Sequence, residues 1–169
     1  MSPEIPIRAD RSLEREFPEV HSLASDCVIN LWRANAMLSE EMGRVLRPYD
    51  LTLTGFRVVM MLRVAGGTLT PAEIADRLGS ARATVTGVLD SLEKRELVRR
   101  LPHPDDRRRL QVEITPQARS LLDELLPTYF EHERVSVAAL DEESQETLVQ
   151  LLGTVQRGLY DLRSAASDG

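Results

Sequence analysis

Two short stretches of this 169-residue chain gather side chains suited to gripping a polyanion. The first holds Ser80, Arg82, Ala83, Thr84 and Thr86; the second holds Asp106, Arg107, Arg108 and Arg109. Hydroxyls of the first group hydrogen-bond phosphates or base edges, and a guanidinium pairs with two acceptors on a guanine. Arginines at a loop tip suit a narrow groove with concentrated negative potential. Other chemistries find little footing. His21, His103 and His132 are scattered, with no His-x-x-x-His or Cys-x-x-Cys pair, so no metal site is expected. There is no nucleophile elbow, phosphate-cradling glycine loop or Cys–His motif, so neither an enzyme nor a cofactor is expected. The single cysteine, Cys27, excludes an intramolecular disulfide framework. The longest apolar stretch, Val58 to Leu62, is too short to span a bilayer, and the chain does not open like a signal peptide. A cytoplasmic protein with no membrane partner is the expectation.

A net charge of −6 argues against a nucleic-acid partner until it is located along the chain. Residues 70–115 carry 9 basic and 8 acidic side chains, whereas residues 116–169 carry 4 basic and 10 acidic ones. The acidic excess therefore belongs to the C-terminal third. Between Arg77 and Arg109 the balance is 9 basic to 5 acidic, which is compatible with a local anion-binding face.

The elements that must position these residues follow from periodicity and punctuation. Residues 1–17, with Pro3 and Pro6, read as a flexible N-terminal tail. Residues 18–50 hold a long helix with Leu23, Cys27, Val28, Leu31, Leu38, Met42 and Val45 at three- and four-residue steps, ended by Pro48. At 1.5 Å per residue it would run about 45 Å, long enough that part of it should pack against a partner. A second, nearly all-apolar helix is expected from about Thr54 to Val64, before Gly66-Gly67. Thr70-Pro71-Ala72-Glu73 is a capping box with proline at the first helical position, and that helix stops at Gly79. Val85, Val88, Leu89 and Leu92 mark another helix to about Arg95, completing a helix-turn-helix.

Leu97 to Leu101 is then extended, Pro102 to Asp106 is turn chemistry, and Leu110, Val112 and Ile114 alternate with polar residues. This is a β-hairpin with an arginine-rich tip. Thr115-Pro116 starts a helix bearing Leu121, Leu122, Leu125 and Leu126, which Pro127 should kink or interrupt. Asp141 starts the last helix, with Leu148, Leu151, Leu152, Val155 and Leu159 expected to face inward, and residues 164–169 form a tail. The fold class is mainly α with a small β-hairpin wing (α+β). Residues 51–115 make a winged helix-turn-helix, an arrangement that places one helix in a major groove and the hairpin tip in the adjacent minor groove. Double-stranded DNA is the partner this predicts.

In this order the residues resemble the MarR family of bacterial winged-helix transcription regulators. The likeness is carried by Leu51-Thr52, Thr70 to Ala75, Thr84-Val85-Thr86, Leu92 to Val98, Asp106-Arg107-Arg108 and Ile114 to Ala118. The resemblance implies that Asp106 holds the wing by an ion pair and that Arg108 enters the minor groove. It implies a homodimer through the 18–50 helix and the C-terminal helices of residues 116–163, and a repressor on an inverted-repeat operator. Half-site centres would lie about 10 base pairs apart. The chain departs from the family at Gly87, where an arginine is usual.

The resemblance also implies release from DNA by a small phenolic or carboxylated aromatic effector. Trp32, Arg33, Phe56, Met60 and Arg63 are the candidate lining, since an aromatic wall with an arginine suits such a ligand; Phe56, Met60 and Trp32 equally suit a core. A second reading is a peroxide- or thiol-sensing regulator acting through Cys27, as in peroxide-sensing members of the family. Here Leu31 and Glu41 or Met42 stand where those carry supporting tyrosines. A third is a winged-helix protein-interaction module that does not touch DNA.

Overall fold

The helix boundaries are set by side chains that take up backbone groups a helix end leaves unpaired. In the computed structural model of the chain, which describes residues 5–102 and 110–167, Thr70 Oγ1 accepts the amide of Glu73 at 3.3 Å. The Glu73 carboxylate accepts the Thr70 amide at 2.7 Å, which completes the expected capping box of α4, Pro71–Leu78. Gly79 ends that helix at φ 62, a left-handed conformation that favours glycine. The same logic starts α3, Leu53–Val64, where Thr52 Oγ1 accepts from the Gly55 amide at 3.0 Å. It also starts α6, Pro116–Ser136, where Thr115 Oγ1 accepts from the Ala118 amide at 3.1 Å. Thr70→Ala should remove the half of the box that the hydroxyl makes with the Glu73 amide, keep the Thr70 amide bond to the Glu73 carboxylate, and cost about 1 kcal/mol. A lower urea midpoint with unchanged slope would show it.

The remaining elements are α1, Leu13–Glu16; α2, Ser22–Leu46, with a 3₁₀ turn Arg47–Tyr49; α5, Arg82–Lys94; and α7, Glu142–Ser167. The strands are β1, Thr68–Leu69, β2, Val98–Pro102, and β3, Leu110–Ile114. They form an antiparallel sheet in the order β1-β3-β2, with Arg99 opposite Glu113 and Arg100 opposite Val112. Strand β1 was not expected. Two residues are too short for a period-two signal, and the strand exists because Gly67 and Thr70 bracket it while β3 offers a free edge. The Ile114 amide donates to the Gly67 carbonyl at 2.9 Å, and Gly67 at φ 117 makes the turn that allows this.

The chain divides into two compact units, Met1–Tyr129 and Phe130–Gly169. The first holds the core, in which Leu46 of α2, Leu62 of α3, Ile74 of α4, Leu89 of α5 and Leu122 and Leu125 of α6 are all fully buried. Pro127 does not interrupt α6. Pro127 and Asp123 are both exposed, so the Asp123 carbonyl freed by the missing amide faces water, while buried Leu122, Leu125 and Tyr129 hold the helix. No helix among the described residues is long and apolar enough to cross a membrane.

The expected flexible tail of residues 1–17 differs over its described part. Residues 7–11 form a strap on α2. The Ala9 amide donates to Asp26 Oδ1 at 2.6 Å, and the Arg8 and Arg11 guanidinia reach Oδ2 at 3.1 Å each. Asn30 accepts the Ile7 amide at 3.0 Å and donates to the Ile7 carbonyl at 2.8 Å. Asp26 is only 3% exposed, and the Ala9 amide, aided by Arg8 and Arg11, holds its carboxyl below the usual range against the effect of burial.

The inward face expected for α7 is also corrected. Leu151 is 61% exposed, and Leu148, Val155 and Leu159 are exposed with it. The rest of the second unit is too small to cover a helix of this length. The first half of α2 shows the same pattern: Leu23, Val28, Trp32 and Leu38 are exposed, and the helix's buried apolar side chains begin only at Met42.

Candidate nucleic-acid interface

Helix α5 buries Val85, Leu89 and Leu92 and turns its opposite face to water. Arg82, Ala83, Thr84 and Thr86 are all exposed on its first two turns, and Ser80, half-buried, precedes its N-cap Ala81. Ala81 has no capping side chain. The first-turn amides are therefore left for an outside acceptor, at the positive end of the helix dipole. Thr86 Oγ1 donates to the Arg82 carbonyl at 3.0 Å. The expected residues from Ser80 to Thr86 thus share one open helix end, and that end offers a duplex both amide and guanidinium donors. The wing residues Asp106, Arg107, Arg108 and Arg109, with His103, lie outside the described residues.

Much of the arginine surplus serves the fold. Arg100 of β2 reaches Asp90 at 2.6 Å and Glu93 at 2.7 Å, both on α5, and its amide donates to Glu93 at 3.0 Å. Arg99 faces Glu113 across the hairpin at 3.6 Å. Arg95 binds the Tyr49 carbonyl at 2.8 Å and the Asp50 carbonyl. These pairs tie the wing and the preceding turn to α5, and none was singled out from the sequence. The only local signal was acidic Asp90 and Glu93 one turn apart on the helix that the hairpin follows.

The effector candidates are not gathered around either described cavity. Phe56 is buried against Tyr129, ring centroids 4.3 Å apart, so it is a core side chain. Met60 is half-buried against the same core, and Trp32 is 71% exposed. Arg33 is half-buried on α2. Arg63 donates to Asp123 at 2.6 Å. One cavity, about 270 Å³, lies between α3 and α5 and is lined by Thr52, Gly55, Thr84, Gly87 and Val88 among others. A second, about 390 Å³, lies beside Glu96, Val98 and Thr115. Cys27 is exposed on α2. No cluster of potential metal ligands occurs among the described residues.

Known proteins place this geometry. A model of the MarR family matches residues 51–110. The HTH-type transcriptional repressor YetL of Bacillus subtilis is 30% identical over 121 residues, covering 69% of this chain and 72% of that protein. The chain belongs to the MarR family. A probable transcriptional regulator from Pseudomonas aeruginosa superposes on it with a TM-score of 0.72 at 29% identity, over 79% of this chain and 98% of that one. BpsR of Bordetella bronchiseptica, whose DNA binding is regulated by 6-hydroxynicotinic acid, superposes with a TM-score of 0.67 at 26% identity, over 75% of this chain and 95% of that one. This MarR-family chain is thus a DNA-binding transcriptional regulator with the winged-helix fold its residues predict.

Its departure from the family at Gly87 has a direct consequence for α5. A Cβ added there meets nothing within 4 Å. Gly87→Ala should therefore raise stability by about 0.5–1 kcal/mol through the lost flexibility of the unfolded chain. A higher urea midpoint checks it.

Proposed function

We propose that this regulator represses transcription as a homodimer on an inverted-repeat operator and leaves DNA on binding a small aromatic acid or phenol. The observation that carries the DNA-binding half is the open N-terminal end of α5, where Arg82, Thr84 and Thr86 surround uncapped amides. In the proposal Arg82 and Thr84 read bases, while Ser80 and Thr86 turn their hydroxyls from the Leu78 and Arg82 carbonyls to phosphates. Asp106, Arg107 and Arg108 supply the minor-groove contact from the wing. Two recognition helices about one turn of DNA apart set the half-site spacing.

The dimer reading is supported by the apolar side chains left in water on α2 and α7, among them Leu23, Trp32, Leu151 and Leu159. A second copy of the chain is the occupant proposed. The effector reading is supported by the aromatic acid that regulates BpsR. With Phe56 in the core, Trp32, Arg33, Met60 and Arg63 remain as its candidate wall. A carboxylate on Arg63 would have to displace Asp123.

A gel shift with the promoter of the protein's own gene tests the reading, repeated with a panel of aromatic acids and with peroxide. Sequence-specific retardation, lost on adding an aromatic acid, is expected. Loss with peroxide alone, abolished by Cys27→Ser, would transfer sensing to the thiol. Absence of specific retardation at moderate salt would favour a winged-helix protein-interaction module.

A further inference from the structure

Recognition helix α5 rests on its neighbours through Val85, Leu89 and Leu92, contacts that carry little directionality, and Arg100 of β2 bonds to its Asp90 and Glu93. Its C-terminal end is fixed differently. Arg95, the C-cap residue of α5, donates from Nη2 to the Tyr49 carbonyl at 2.8 Å and from Nη1 to the Asp50 carbonyl. Its Nε also lies 3.6 Å from the Asp50 carboxylate. Tyr49 and Asp50 close the 3₁₀ turn that ends α2, and Asp50 itself is left-handed at φ 51. The last carbonyls of a helix lack partners within it, and one guanidinium here takes two of them at fixed angles.

The segment that carries Arg95 is held from the other side. The Arg95 carbonyl accepts from Gln117 Nε2 at 3.4 Å, and Thr115 Oγ1 donates to the Glu96 carbonyl at 2.7 Å. The segment just after the recognition helix is therefore bonded to the end of α2 and to the start of α6. Residues 45 and 46 positions apart in the chain are joined here through one side chain.

We infer that Arg95 is a positioning residue for DNA reading: it locks the angle between α5 and α2, and so fixes the separation at which two copies present their recognition helices. The inference rests on the homodimer reading, with α2 in the interface. Arg95 need not touch DNA for this. Loosening it would let α5, together with the strand that Arg100 ties to it, shift relative to α2, and the dimer would then accept half-sites at several separations.

The test is a spacing series. A duplex selected by the protein from a random-sequence library is rebuilt with one or two base pairs inserted or removed between its half-sites. Binding is compared for the wild type, Arg95→Ala and Arg95→Lys. The wild type should lose about tenfold or more in affinity for each base pair of change, since each alters both distance and rotation about the duplex. Arg95→Ala should show a much flatter profile, with unchanged affinity for random duplex. Arg95→Lys, which keeps the charge but not the two-carbonyl grip, should fall between them. Thr70→Ala, destabilised far from this joint, should keep the wild-type profile and so separates positioning from general loss of stability. Profiles as steep for both Arg95 variants as for the wild type would overturn the inference and leave the dimer reading standing. A wild-type protein indifferent to spacing would overturn the dimer reading and the inference with it.

Discussion

Phe56→Ala is expected to lower stability by about 3–5 kcal/mol, the usual range for truncating a buried aromatic side chain. Phe56 is 4% exposed and its ring lies against Tyr129 at an interplanar angle of 39°. Removing it deletes this contact and leaves a cavity between α3 and α6, where rigid helices cannot close in. Loss on this scale is a large part of the stability of a domain of this size, so the variant should unfold at much lower urea. A ligand-wall residue would behave otherwise, with effector response impaired and stability nearly intact. A change below about 1 kcal/mol would therefore return Phe56 to the effector site, since surface substitutions fall within that range.

Arg82→Ala is expected to weaken binding to the preferred duplex by about 10–100-fold for each half-site, corresponding to the 1–3 kcal/mol of one good base-edge contact per copy. Arg82 is exposed in the first turn of α5, so its removal should leave the urea midpoint unchanged. Discrimination should relax at one base pair per half-site. If Arg82 instead grips phosphate, affinity would drop for every sequence, and the salt slope would shrink by about 1 for each copy bound. A gel shift against specific and random duplexes at several salt concentrations separates the two. Unchanged affinity on both would remove Arg82 from the interface.

The parts of the fold legible in the sequence are those written in neighbouring residues. Thr70 to Glu73, Gly79 and the alternation of Leu110, Val112 and Ile114 each act within a few positions, so their spacing specifies a structure directly. What was not legible depends on partners far along the chain. Asp26 reads as one more helical carboxylate until residues 8–11 fold back onto it. Arg95 and Arg100 read as part of a basic face, yet both are turned inward to Asp50, Asp90 and Glu93. The charge asymmetry that suggests an anion-binding surface therefore overstates it; Arg82 is exposed at the open end of α5. The apolar stripe on α7 reads as an inner face because periodicity marks an apolar side without saying what covers it.

An acidic C-terminal third and few outward-facing arginines should keep binding to random DNA weak. In the proposed homodimer the grip then depends on paired recognition helices meeting paired half-sites. Hydroxyl-radical footprinting on a duplex selected from a random library tests this most directly. Two protected patches on one face of the duplex, with centres about 10 base pairs apart, are the expected result, and both should fade together in Arg82→Ala. A single patch, or no protection at a concentration that shifts the duplex, would contradict a homodimer reading an inverted repeat through α5.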